Sequence, residues 1–456
     1  MAISTKTTIV IDGEDLTRFS ELTLHQKVNA HHTFSLVQPL PKEFINQGVA
    51  KAQSYVGKTI KIEITPRNRN TDSPLVFNGI ITQAELIRTS GAAGQIIING
   101  CSPTILLEAQ NNMRSFTDKT LTDIVQEVAG NQADALKLAT NVHNDTTQLY
   151  TVQYNETDFG FLSRLAQKKG EWLLYNGREM HFGMPNKNKT FTLQYGQSLH
   201  HFTIKMNAQP MNFNYIGYDA SSGDTQISES TGIGYQAKGM SKAVFDASTK
   251  LYQNTNKTLY NNPLQEGNAS VHLNDRMTTQ TQALGANLVT AYGDSDETGL
   301  RIGDVVIINE SAFSATGNAV DSVKEQNFGG YILTEITHIC DEIGKYENHF
   351  TAVPDSALTP PYANVHQIPI ASTQPAVVRD NNDPKGLGRV QVQMAWQKDS
   401  NAQTPWIRMT QAHSGAGKGH HIIPEIGEEV LIGFENNNAE KPFVLGAMYN
   451  GNESSG

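Results

Sequence analysis

Residues 379–396 read RDNNDPKGLGRVQVQMAW, and residues 404–451 read TPWIRMTQAHSGAGKGHHIIPEIGEEVLIGFENNNAEKPFVLGAMYNG. Five short strands are expected here, near 374–379, 387–396, 405–412, 428–434 and 442–448, set apart by Gly, Asn, Asp and Pro. In the second of them Val390, Val392, Met394 and Trp396 alternate with Gln391, Gln393 and Ala395. One face is then apolar and the other polar, as the wall of a small barrel requires. Five short strands over roughly 80 residues suit an OB-fold. No catalytic group stands out, so the segment reads as a structural collar.

Upstream, residues 7–105 are strand-rich. Thr8–Ile11 runs into an Asp12-Gly13 turn signal, followed by partial alternation at Leu22, Leu24, Gln26 and Val28, then Thr59–Thr65, Leu75–Ile87 and Gln95–Gly100. Residues 116–198 differ. Leu121, Ile124, Val125 and Val128 recur at helical spacing and stop at Gly130. A second helix carries Phe159, Leu162, Leu165 and Ala166 on one stripe and ends at Gly170, with Asn155 as its expected N-cap. Asn176-Gly177 between Glu171–Tyr175 and Arg178–Phe182 signals a hairpin. Residues 200–355 return to β-structure, with helical potential around Asp275–Leu288.

A weak repeat links the two β-rich parts. Gly57 opens a β-run and Gly79 opens another 22 residues later; Gly303 and Gly330 do the same 27 residues apart. From the residues alone, two unrelated β-domains and two copies of one barrel both fit. The expected organisation is a first β-barrel over 1–107 (part of 200–235 is available to complete it), an α+β subdomain over 108–199, a second β-barrel over 200–358, a linker over 359–373 and an OB-fold over 374–456. The fold class is mainly β with a small α+β part.

Length fits two to four domains, and 38% hydrophobic with 18% charged residues is the composition of a globular protein. The net charge of −10 argues against nucleic-acid binding, whose footprint is basic. Two cysteines, Cys101 and Cys340, are too few for a disulfide framework or thiolate cluster and are expected as buried free thiols. MAISTKTTIVIDGEDL has neither an apolar core nor a cleavage site, so no secretory signal is expected.

The motifs that invite chemistry fail on spacing. Gly415–Gly419 resembles a phosphate loop, but Gly419 stands where Ser or Thr is needed after Lys418, and the motif's first Gly is missing upstream. His413, His420 and His421 have no helical i, i+4 frame for a metal. His31-His32 and His200-His201 are weaker still. Asp294–Gly299 begins like a calcium loop, yet its twelfth position is Val305, so a solvated turn is expected. Neither G-x-S-x-G nor H-E-x-x-H occurs. Trp396 and Trp406 could stack bases, but from Arg379 onward 7 Lys or Arg face 9 Asp or Glu, which disfavours it. No catalytic, cofactor-binding or metal residue is nominated.

The C-terminal unit resembles the OB-fold collar of the valine-glycine repeat protein G (VgrG) spikes of type VI secretion. Gly388–Gln393 with Trp396 matches the family's G-R-V-x-V-x…W, and Trp406–Gln411 matches W-[IV]-R-V-x-Q. His421–Val430 matches F-x-P-x-[IV]-G-x-E-V, and Pro442–Gly446 with Tyr449-Asn450-Gly451 matches the closing motif. Glu156–Leu165 resembles the family's E-[ST]-D-x-x-F-[LI]-x-R-L helix; Gly330–His338 and Tyr346–Pro354 resemble its second hub barrel.

The resemblance implies a structural hub and spike component, not an enzyme. It implies a homotrimer whose six barrels match a hexameric tube protein ring, with baseplate proteins, a spike-tip protein and effectors as partners. A target membrane is met on firing; no nucleic acid and no cofactor is implied. Assembly is expected in the cytoplasm, with exit through the apparatus. A phage-tail or extracellular injection-particle spike is the alternative within this class, and a cell-wall hydrolase with an unrecognised carboxylate pair is the alternative outside it. Family members continue into a β-helix needle, whereas this sequence stops at Asn452–Gly456, so the needle is expected to be either absent or truncated.

Overall fold

The computed structural model describes residues 4–40, 47–67, 74–88, 94–184, 189–233, 235, 237–315 and 320–451. At the N-terminal end Asp12 and Gly13 adopt φ of 51° and 87° and fold Thr5–Ile11 back onto Glu14–Asp15, Ile11 opposite Glu14. This is the two-residue hairpin that positive φ at both positions permits. Strands Glu21–Lys27, Thr33–Leu40, Thr59–Pro66, Leu75–Ile87 and Gly94–Cys101 complete a first β-layer. Ile60, Ile62 and Ile64 are buried while Thr59 and Lys61 face solvent, so period-two patterning selects the core face.

A second set comprises Thr190–Gln194, Leu199–Met206, Val289–Ser295, Val305–Ala315, Val320–Cys340 and Tyr346–Pro354. Antiparallel pairing of Glu335–Cys340 with Leu22–Lys27 fuses both sets into one thirteen-stranded sheet. Each set keeps its own core, one around Ile62, Phe77 and Ile98, the other around Leu300, Ile336 and Phe350.

The internal repeat is physical. The Lys58 N–H donates to Tyr55 O at 3.1 Å, and the Asp304 N–H donates to Arg301 O at 3.1 Å. Gly57 and Gly303, at φ of 82° and 89°, sit at the third position of these turns. Only a left-handed residue fits there. The Gly57 N–H donates to Ile81 O at 2.9 Å and the Ile81 N–H to Lys58 O at 2.9 Å; Gly303, Leu333 and Asp304 repeat this pair at 3.0 and 2.9 Å. A β-bulge follows in each copy, at Thr82 and at Thr334. The copies differ at one edge, where Thr5–Ile11 runs antiparallel to its neighbour and Thr190–Gln194 runs parallel.

Between the barrels lies the α+β part. Helix Leu121–Ala129 is capped by Thr120 in a capping box with Asp123, and it buries Leu121, Ile124, Val125 and Val128 as their spacing requires. Helix Asp158–Lys169 is capped by Thr157, which accepts from the Gly160 N–H, and not by Asn155. Asn155 is instead left-handed, φ 51°, at the bulge that ends strand Gln148–Glu156. Helices Gly48–Tyr55 and Gly239–Leu251 were not expected, and the helical potential near 275–288 belongs to the longer helix Ala269–Ala286. The last packs on a small sheet of Phe213–Asp219, Asp224–Glu229 and Asn256–Leu259.

The C-terminal unit is an OB-fold. Strands Gln374–Asp380, Gln391–Met394, Glu429–Phe434 and Pro442–Ala447 form its sheet. The expected strand at 405–412 closes the barrel by single bridges, Ile407 to Val390 and Met409 to Val444. Trp396 lies past its strand, in the short turn Ala395–Gln397. Residues 452–456 lie outside the described residues.

Candidate functional site

The motifs that could have carried chemistry take up structural roles. Ser414–Gly415 pairs with Lys418–Gly419 as a tight hairpin; no helix follows Lys418, so no phosphate cradle forms. His413, His420 and His421 are exposed, and among the described residues no group of three His, Cys, Asp or Glu side chains is placed to hold a metal. Asp294–Gly299 is not the solvated turn expected. Asp296 and Thr298 are buried because the segment closes the second barrel, and Asp296 faces His200 at 3.3 Å. Cys340 is buried but Cys101, at its strand end, is half-exposed; both are free. Trp396 is held by the Tyr154 ring at 6.0 Å and donates to Gln374 Oε1 at 2.9 Å, so it offers no stacking platform.

What the fold builds instead are rigid joints. The first lies on the seam between the barrels and consists of side chains that are almost wholly enclosed. The Asn348 amide donates to the Tyr346 hydroxyl at 3.2 Å, which lies 2.7 Å from His338 Nδ1. His338 Nε2 is 3.2 Å from Gln26 Oε1, and Gln26 Nε2 is 3.1 Å from His32 Nδ1. One set of proton positions satisfies every link: each group donates toward His32, and both imidazoles are neutral. Burial pushes His338 and His32 down to about 3, which holds them neutral.

The second joint fixes the collar to the α+β part. Tyr150 and Val152 of strand Gln148–Glu156 belong to the collar's own core, with Val390, Val392, Met394 and Val430. The Gln397 amide donates to Ser115 Oγ at 2.8 Å and to the Tyr150 hydroxyl at 3.3 Å. Glu440, its side chain wholly buried, lies against Lys168 Nζ and 3.7 Å from Arg164 Nη1. Burial acts to raise the Glu440 carboxyl, but these cations hold it below its ordinary range. Arg164 also forks onto Glu156 and donates to Val152 O at 2.7 Å. Lys168 and Arg164 on a helix face otherwise apolar are the signal in the sequence; Glu440, in an Asn-rich loop, gives none.

The collar carries a cleft of ≈ 910 Å³ lined by Arg408, Met409, Gln411, Lys418, His421 and Phe443. Leu387, Ile422, Ile426 and Tyr449 are exposed on the same unit.

The phage tail baseplate hub (GPD) family matches residues 44–341, well over half of the chain, and the type VI secretion system/phage-baseplate injector OB domain matches residues 374–449. The type VI secretion system spike protein VgrG5 of Pseudomonas aeruginosa is 22% identical over 388 residues, covering 74% of this chain and 45% of that protein. VgrG1a of the same organism is 23% identical over 420 residues, 83% of this chain and 60% of that protein. The chain therefore spans roughly half the length of these relatives. Among solved structures, the type VI secretion component c3393 of E. coli superposes with a TM-score of 0.59 at 15% identity, over 96% of this chain and 99% of that one. A chain of the Francisella PdpA–VgrG complex gives 0.58 at 10% identity, over 99% and 79%. These identities speak to fold, and the fold agrees with the family. The chain belongs to the phage tail baseplate hub (GPD) family and joins that hub to an injector OB domain, the architecture of the VgrG spikes it resembles.

Proposed function

We propose that the chain is the structural hub and spike collar of a contractile injection apparatus of the type VI secretion kind. Three copies assemble about one axis and cap a hexameric tube ring. Baseplate proteins hold the assembly, and a spike-tip protein and effectors ride on it. Sheath contraction drives tube and spike through the target membrane. Assembly takes place in the cytoplasm, and the protein leaves through the apparatus. No helix among the described residues is long and apolar enough to cross a membrane.

The observation that carries this reading is the duplicated barrel, with the same glycine turn, the same paired backbone bonds and the same threonine bulge in both copies. Two barrels per chain in three copies give six similar surfaces, the number a hexameric ring presents. The rigid joints suit a part that transmits force. Light scattering of the purified protein with a peptidoglycan turbidity assay tests the reading. A trimer without wall-clearing activity supports it, and a monomer that clears cell walls overturns it in favour of a hydrolase.

A further inference from the structure

The internal repeat gives both strands of the seam between the barrels a counterpart. Within one chain, Glu335–Cys340 of the second barrel pairs with Leu22–Lys27 of the first, His338 opposite Leu24 and Ile336 opposite Gln26. On the other face of this seam Lys27 and Glu335 form an ion pair at 3.1 Å, and His25 meets Thr337 at 3.0 Å. The repeat carries each of these strands onto a counterpart. Ile81 is the counterpart of Leu333, and matching bulges follow, so Gln83–Ile87 occupies the place of Glu335–Ile339. Leu24 lies opposite Phe34, Phe34 opposite Gly100 and Gly100 opposite Ile81. Ile204 lies opposite Ala291, Ala291 opposite Ala352 and Ala352 opposite Leu333. Ile204 is therefore the counterpart of Leu24.

Both counterpart strands have an open edge. Among the described residues Gln83–Ile87 pairs only with strand Gly94–Cys101, because pairing with its other neighbour stops at Ile80. Phe202–Met206 pairs only with strand Val289–Ser295 among the described residues. Met206 is 54% exposed, and Leu86 and Ile204 are only half-buried. An unpaired edge with apolar side chains is a template for another strand.

We propose that these edges pair with each other between copies, the second barrel of one copy adding Phe202–Met206 to Gln83–Ile87 of the next. The register follows from the in-chain seam: Ala84 opposite Met206, Glu85 opposite Lys205, Leu86 opposite Ile204, Ile87 opposite Thr203. This rests on the trimeric assembly proposed above and specifies its hub seam. Opposite charges face each other at Glu85 and Lys205, as they do at Glu335 and Lys27. Where the in-chain seam is filled by Gln26 and His338, the seam between copies is filled by Met206 and Leu86, so it is apolar and closes by burial. The two edges are different surfaces, so the contact is head-to-tail and generates a ring when the rotation closes.

Two cysteine pairs in the full chain test the register, Glu85→Cys with Lys205→Cys and Ala84→Cys with Met206→Cys. Adjacent antiparallel pairs alternate between two spacings, so one of the two sits in the closer geometry that a disulfide accepts. Mild oxidation of the assembled protein is expected to give covalent dimers and trimers in at least one pair. The offset pair Glu85→Cys with Thr203→Cys is expected to give none. Glu85→Lys should weaken the assembly, and Lys205→Glu in the same chain should restore it. A trimer by light scattering in which neither pair cross-links, or in which the offset pair cross-links equally, overturns the seam and leaves the trimer standing. A monomer overturns both.

Discussion

Acidification should loosen the seam between the two barrels, and its size follows from the buried imidazoles. His338 and His32 are held at about 3 by burial, against 6.5 in an unfolded chain. Their folded values are depressed, so the unfolded state binds more protons between these limits. The neutral-histidine contribution is complete above about pH 6.5 and is lost progressively as pH falls toward 3. At pH 5 each histidine withdraws about 2 kcal/mol relative to pH 7.5 or higher. His338→Gln isolates the effect. A glutamine amide can donate toward Gln26 Oε1 and accept from the Tyr346 hydroxyl but cannot titrate, so the variant should cost about 1 kcal/mol at pH 7.5. Urea unfolding followed by tryptophan fluorescence at pH 7.5, 6 and 5 is the assay, with Trp172 reporting from the second barrel core. The variant should lose about 2 kcal/mol less than the parent on going to pH 5, so that the two stability curves cross. Parallel curves would refute the neutral, one-directional chain.

Three further outcomes test other parts of the account. Glu440→Gln leaves Lys168 and Arg164 short of a buried counter-charge and should cost about 3–5 kcal/mol, seen as faster proteolysis between hub and collar; adding Lys168→Met should restore much of that loss. Gly177 has φ 93°, and a Cβ there would lie 2.2 Å from Val76 O, so Gly177→Ala should cost more than Gly57→Ala in a thermal melt. Gly57 meets open space and should show only the left-handed penalty of about 1–2 kcal/mol. Tyr150→Phe removes the hydroxyl that Gln397 reaches across the collar joint and should cost about 1 kcal/mol by the same melt.

Local features of the fold were legible because they rest on spacing and turn chemistry. The stripe Leu121, Ile124, Val125 and Val128, the Asp12-Gly13 hairpin and the alternation from Val390 to Met394 all carry their period in the sequence. Helix Gly239–Leu251 was hard to see because two of its three fully buried residues are Ser241 and Ser248, which interrupt the apolar face that Met240, Val244 and Phe245 turn toward the second core. Asn155 lost the capping role to Thr157 because the preceding strand bulges and turns Asn155 left-handed. The joints were the least legible. The seam pairs residues near 25 with residues near 337, and Glu440 meets Lys168 across 272 positions of chain. Nothing in local periodicity encodes contacts at such separation; only the glycine-led repeat hinted at the architecture, and only as one of two explanations.

Electron microscopy of the purified full chain tests the central claim most directly. The expected particle has a mass near three times the 50.0 kDa chain. It should show a three-fold axis and a base of six barrel lobes with near six-fold appearance. A monomeric or two-fold particle, or a three-fold one whose base lacks six similar lobes, would contradict it.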